Sequence, residues 1–255
     1  MFEAHLDSSS TFKKLIESIK GLIPEANLEC TSEGLSIRTM DKGHLAFLVL
    51  HLPAQNFDEY ACDSPFKLGV SLESFSKFLK IGKDQDKLTL KASEEAEAMT
   101  IVFWDNKGTN TTELNMNLRV LDHDTLGIPE TQYTAHMEFP SYEFHKICRD
   151  LQPITDTLKI YVKKGSVKFE LIDEMAAGET VLMSVDSEKL TERVLVKTTH
   201  NLEMAFSVKY LTLINRCSSL SDQVCIWMSQ DIPIKIQYKF ELGEVSYFLA
   251  PKIPE

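Results

Sequence analysis

The sequence predicts an α+β fold of two similar domains, with antiparallel sheets and short helices packed on one face. Three observations carry that expectation. Four short segments share one apolar spacing, the first residues of those segments fall at nearly equal intervals, and the pattern between them changes to the alternation of strands.

Taken in chain order, MFEAHLDSSS has neither a basic stretch nor an apolar run and does not read as a signal peptide. TFKKLIESIK follows, with Phe12, Leu15, Ile16 and Ile19 on one helical face, Ser8 to Ser10 as N-cap candidates and Pro24 beyond the end. GLSIRTM (34–40) and HLAFLVLHL (44–52) read as strands, punctuated by Asp41-Lys42-Gly43. SFSKFLK is the second helix, with Phe75, Phe78 and Leu79 apolar, Ser71 ahead of it and Gly82 where it should stop. KLTLKAS (87–93) and AMTIVFW (98–104) are strands, with a turn at Asn106-Lys107-Gly108. EFHKICRDL repeats the helical spacing through Phe144, Ile147, Cys148 and Leu151, between Ser141 and Pro153. SVKFELI (166–172) is a strand, and KYLTLINRC is the fourth helix, read through Tyr210, Leu213, Ile214 and Cys217. VCIWMS (224–229) and PIKIQYKF (233–240) are strands, with a turn at Gly243.

The helical anchors Phe12, Phe75, Phe144 and Tyr210 are separated by 63, 69 and 66 residues. Each unit is one short helix and several strands. The rhythm breaks only at NLRVLDHDTLGIPETQY, which divides the four units into two pairs. The expected organisation is a domain over 1–116, a linker over 117–133 and a second domain over 134–255.

Charge follows the same repeat. Lys14, Lys77 and Lys146 each stand two residues after their anchor, and Lys80 and Arg149 five after, all turned away from the apolar face at 100° per residue. With Lys13, Lys20, Lys209 and Arg216 the helices hold nine basic residues against Glu17, Glu73, Glu143 and Asp150. That is a net +5 in a chain of formal charge −11, which leaves −16 elsewhere. If the helices line one surface, that surface is basic in an otherwise acidic protein.

Other classes find little support. The five cysteines include no C-x-x-C pair and sit among apolar neighbours, which predicts buried reduced thiols in an intracellular protein. The longest apolar run, Leu45 to Leu52, is too short to span a bilayer. No G-x-G-x-x-G, Walker loop, H-E-x-x-H or G-x-S-x-G is present. Asp122-His-Asp124 lacks further ligands at metal spacing, so no enzyme, metal or cofactor is expected.

Short motifs then narrow the reading: MFEA at 1–4, Met40-Asp41 with His44, FDEYACD at 57–63, SKFLK at 76–80, LGIPE at 126–130, EFHKICRDL at 143–151 and LAPKI at 249–253. Over essentially its whole length the sequence resembles the proliferating cell nuclear antigen family of DNA sliding clamps. The resemblance implies a nuclear homotrimeric ring, sheets outside and helices inside, that encircles duplex DNA without sequence preference. It would serve as a processivity factor for replicative polymerase and as a docking platform for replication and repair proteins. Lys13, Lys14, Lys20, Lys77, Lys80, Lys146, Arg149, Lys209 and Arg216 would then face phosphates.

The same resemblance implies a partner site at Leu126, Gly127, Ile128 and Pro129 over an apolar pocket of Met40, His44, Leu45, Pro233, Phe248, Ala250 and Pro251. Its occupants would be Q-x-x-L-x-x-F-F-type peptides of DNA polymerase delta, the clamp loader, flap endonuclease and DNA ligase. It also implies ubiquitin or SUMO attachment at Lys164, with Lys163 beside it. Subunits would join through an edge strand near Leu114 against one at Met175 to Met183 of the next copy. A mixed checkpoint-type clamp is the alternative. Pro153 and Phe248 depart from the family's usual residues, and the stretch 109–117 lacks its usual lysine.

Overall fold

The computed structural model describes residues 1–105, 107–121, 127, 131–173 and 176–253. They form two compact units. The first comprises Met1–Lys42, Leu48–Leu126 and Phe240–Val245; the second comprises Gly43–Phe47, Gly127–Lys239 and Ser246–Glu255.

In chain order the first half gives β1 (Phe2–Leu6), α1 (Ser10–Ile19), β2 (Glu25–Thr31), β3 (Gly34–Met40), β4 (Ala46–Pro53), β5 (Glu59–Cys62), β6 (Phe66–Ser71), α2 (Leu72–Leu79), β7 (Lys87–Ala92), β8 (Ala98–Trp104) and β9 (Thr111–Asn117). The second half gives β10 (Ala135–Pro140), α3 (Ser141–Leu151), β11 (Thr157–Lys163), β12 (Ser166–Ile172), β13 (Ala177–Met183), β14 (Leu195–Thr198), β15 (Leu202–Ser207), α4 (Val208–Ile214), β16 (Gln223–Met228), β17 (Ile234–Phe240) and β18 (Gly243–Leu249). The order of strands and helices is the same in both halves. The repeating unit is one strand, one helix and a three-stranded meander, with β5 and β14 as extra strands.

Pairing shows how two repeats make one unit. Strands run β5-β1-β7-β8-β9 and β6-β2-β3-β4 in the first half, and β14-β10-β16-β17-β18 and β13-β12-β11-β15 in the second. Each repeat therefore lends its first strand to the meander of the other. The exchanged pairs are antiparallel and long: Phe2 opposite Ala92 and Leu6 opposite Leu88, Glu25 opposite Ser71, Ala135 opposite Met228, Thr157 opposite Ser207.

One hydrogen bond recurs four times at these seams. The backbone N–H at the start of each helix donates to the carbonyl just before the strand that follows the partner helix. The pairs are Ser9 to Asp86 at 2.9 Å, Leu72 to Pro24 at 2.8 Å, Ser141 to Asp222 at 2.9 Å and Val208 to Asp156 at 3.1 Å. Each bond satisfies a helix-terminal donor that has no partner inside its own helix.

The helices are short and amphipathic, and packing rather than propensity holds them. Phe12, Leu15, Ile16 and Ile19 of α1 are buried, as are Phe75 and Leu79 of α2, and the anchor rings Phe12 and Phe75 meet edge-on at 5.7 Å. In the second unit Phe144 of α3 packs against Phe139 and Phe169, with centroids 5.7 and 5.8 Å away. Strands alternate buried and half-exposed residues, as in β1, β2, β10 and β16, which puts a dry face under the helices. No helix among the described residues is long and apolar enough to cross a membrane.

Two local expectations are corrected. Of the proposed serine caps Ser71 acts at the N-cap itself, accepting from the Ser74 N–H at 3.3 Å, and Ser8 Oγ accepts the Ser10 N–H at 3.4 Å from one position earlier. Ser9 Oγ instead donates to the Lys83 carbonyl at 2.8 Å, and Ser141 Oγ to the Ser218 carbonyl at 3.2 Å, so both hydroxyls stitch seams. In α4 the buried face is Val208, Leu211 and Ile214, while Tyr210 and Leu213 are only partly covered. The helix begins directly at the end of β15, so the Val208 seam bond sets its rotation.

Candidate nucleic-acid and partner interfaces

The nine basic helical residues fall into distinct environments. Lys14, Lys77, Lys146 and Lys209 are exposed, and no ion pair holds them among the described residues. Their ammonium groups are in water, ready to meet an anion at little desolvation cost. Arg216, in the turn after α4, is exposed as well.

Lys13, Lys20, Lys80 and Arg149 are visibly engaged. Lys13 Nζ donates to the Gly82 carbonyl at 2.8 Å and to Asp84 at 2.7 Å, with only 15% of its side chain exposed, so it fastens α1 to the loop after α2. Lys20 reaches Glu17 at 2.8 Å and Ser76 Oγ at 3.1 Å, and Lys80 reaches the same Glu17 at 3.2 Å. The Ser76 hydroxyl also donates to Glu17 at 2.6 Å. Hydrogen bonds from Lys20 and Ser76 outweigh burial and hold the Glu17 carboxyl down at about 2. Arg149 folds onto its neighbour Asp150 at 2.8 Å. Lys20 is therefore held in a network with Glu17 and Ser76 rather than freely solvated. Glu17 was not anticipated as a functional residue; its place two residues after Leu15, on the basic side of α1, was the available signal.

In the second unit, several partner-site candidates are gathered by backbone bonding. Leu45 is 46% exposed, and its carbonyl accepts the Ala250 N–H at 2.9 Å. His44 beside it is exposed and has a φ of 55°, an unusual backbone for a residue other than glycine. Phe248 is half-buried, 6.1 Å from Phe47, with Lys235 Nζ 6.0 Å above its ring. The Pro233 carbonyl accepts the Tyr133 hydroxyl at 3.2 Å. Pro251 leads into the C-terminal segment, where the Lys252 N–H donates to the Ala205 carbonyl at 2.8 Å.

A cavity of about 840 Å³ opens beside that segment, lined by Thr157, Lys159, Ala205, Asp231, Pro251 and Ile253 among others. Of the expected pocket residues that are described, Pro251 alone lines it; Thr157, Lys159 and Asp231 were missed, being unremarkable residues of separate segments. Met40 ends β3 in the first unit and is half-buried. Gly127 is exposed with open space around its Cα, and Leu126, Ile128 and Pro129 lie outside the described residues.

Two further expectations have clear positions. Lys164 is exposed at the tip of the β11–β12 hairpin, where Gly165 supplies the left-handed φ of 80° that the two-residue turn needs. Leu114 is half-buried on β9, which is the edge of its sheet and, among the described residues, pairs only with β8. β13 is the corresponding edge in the second unit and, among the described residues, pairs only with β12. Met175, at the start of the segment expected to receive β9, lies outside the described residues.

The N-terminal-domain model of proliferating cell nuclear antigen matches residues 1–126, and the C-terminal-domain model matches residues 127–253. The chain belongs to this family. It has the clamp fold, two mixed α/β domains of antiparallel sheets and few helices, and it is a DNA sliding clamp. The family is one of non-catalytic scaffolds that bind DNA and protein partners.

Proposed function

We propose that three copies of this chain close into a homotrimeric ring whose inner wall is formed by the basic helices. The ring encircles duplex DNA in the nucleus and acts as the processivity factor of a replicative polymerase. The observation that supports this most directly is the pair of open edges. β9 and β13 are each seven residues long and mostly exposed, and among the described residues neither has a second strand beside it. Such edges invite pairing, and one of each kind per chain suits a head-to-tail interface that closes by rotation.

Loose, solvated lysines suit sliding, because closure of the ring rather than affinity retains the DNA. Exposed Leu45 together with half-buried Phe248 and Pro251 supports docking of Q-x-x-L-x-x-F-F-type peptides from polymerase delta, the clamp loader, flap endonuclease and DNA ligase. Lys164, at an exposed hairpin tip, suits conjugation to ubiquitin or SUMO.

Native mass spectrometry tests the assembly: the homotrimer has about three times the 29.0 kDa chain mass. A monomer that assembles only with two different clamp chains would favour the checkpoint-type reading. Retention on nicked circular DNA, lost when the circle is cut, tests encirclement; equal retention on both would overturn it.

A further inference from the structure

Apart from the basic helices and the C-terminal segment, one cluster of ligating side chains stands on the sheet of the second unit. His136 and Glu138 are two residues apart on β10, so both project from the face opposite the buried Ala135, Met137 and Phe139. Cys225 on β16 is the direct cross-strand neighbour of Glu138 and shares that face, because Val224 and Ile226 are buried on the other. The imidazole nitrogen, carboxylate oxygen and Sγ all lie within 4.8 Å of one another.

The state of His136 is the second observation. Its Nε2 is buried and has no hydrogen-bond partner among the described residues, although Glu138 Oε1 is only 3.3 Å away. Nitrogen and oxygen are close but not aligned for a shared proton. A desolvated ring nitrogen without a partner is costly, and a cation accepting both lone pairs would resolve it. The ring is also held in place, stacked on Trp227 at 4.8 Å and 17° between planes, with Lys235 Nζ 4.7 Å from the indole centroid.

We propose that His136, Glu138 and Cys225 form a binding site for one transition-metal dication, Zn²⁺ by its chemistry. One nitrogen, one oxygen and one sulfur donor suit a borderline-soft ion, with water in the fourth tetrahedral position. As the metal–sulfur bond forms, the Cys225 thiol releases its proton to solvent, and no electron is transferred. Thiolate and carboxylate together balance the ion's charge. Binding clips β10 to β16 and stabilises the second unit.

Titration of chelator-treated full-length protein with Co²⁺ tests the site. The expected result is one equivalent per chain, with tetrahedral visible bands and a sulfur-to-metal charge-transfer band, both abolished by excess Zn²⁺. Cys225→Ser should remove the charge-transfer band, and His136→Ala should weaken binding by at least the roughly 10- to 100-fold that losing a residue which only supports a ligand costs. No band in the wild type, or an unchanged band in Cys225→Ser, overturns the proposal. A measurement on the wild type alone avoids any folding defect of the variants. Zn²⁺ should slow iodoacetamide alkylation of Cys225, read by peptide mass, and leave the similarly half-buried Cys62 unaffected. Equal rates at Cys225 with and without Zn²⁺ overturn the proposal as well.

Discussion

Glu17 on α1 pairs with two of the basic side chains beside it, and it draws Lys20 and Lys80 away from any ligand. Glu17→Gln releases both ammonium groups, so the variant should bind duplex DNA more tightly and with a steeper salt dependence. Its carboxyl is held at about 2 against an ordinary 4.5, so the depressed pKa contributes stability above about pH 4.5. That contribution is lost as pH falls from there through about 2. Acid titration of unfolding should show the wild type losing more stability than Glu17→Gln across this window; parallel curves would mean that the Lys20 and Ser76 contacts do not persist in solution. The exposed lysines Lys14, Lys77, Lys146 and Lys209 behave oppositely. Reversing them to Glu should leave folding intact and flatten the log–log salt plot by about 0.9 per lost phosphate contact. A slope equal to wild type would place DNA elsewhere on the protein.

At the scale of elements, edges and seams have different roles. β9 is an open edge with Leu114 half-buried at its centre. Leu114→Glu should leave the chain folded but shift native mass from trimer to monomer and abolish retention on circular DNA. A trimer that survives the substitution would move the interface away from β9. β1 is an internal seam strand, and Phe2 on it is fully buried against Tyr60, with centroids 5.8 Å apart. Phe2→Ala should cost about 3–5 kcal/mol. Hydrogen exchange should accelerate first in β5 and β7, which flank β1, rather than in β2 and β3, which are nearer in sequence. This contrast also explains what was legible beforehand. Phe12, Phe75 and Phe144 announced their helices because a solvated face and a dry face alternate at 3.6 residues, and runs such as AMTIVFW matched β8 residue for residue. The exchange of first strands was not legible, since periodicity reports which face is dry and not which strand lies alongside. The α4 face was misread because Tyr210 and Leu213 are apolar enough to complete a stripe that the Val208 seam bond turns aside. Among the basic residues the spacing gave the side of the helix correctly. It was silent on Lys13 and Lys20, whose partners Asp84 and Ser76 lie 71 and 56 residues away.

For the whole molecule, the exchanged first strands mean that a single strand–helix–meander repeat has no complete sheet of its own. A lone repeat would leave both its meander edge and its first strand unpaired, and two copies would satisfy each other reciprocally. Each half of this chain is thus equivalent to a strand-swapped dimer whose two members have been joined end to end. Joining them replaces an encounter between molecules with one inside a chain, at an effective concentration on the order of millimolar. The covalent link between repeats is then a convenience of assembly rather than part of the packing. A chain opened in the turn at Ala54–Asn56, which separates the first repeat from the second, should still be recovered as one particle when its two pieces are co-expressed, and neither piece should be soluble alone. The clamp would be divisible along its backbone at the very places where its sheets are continuous.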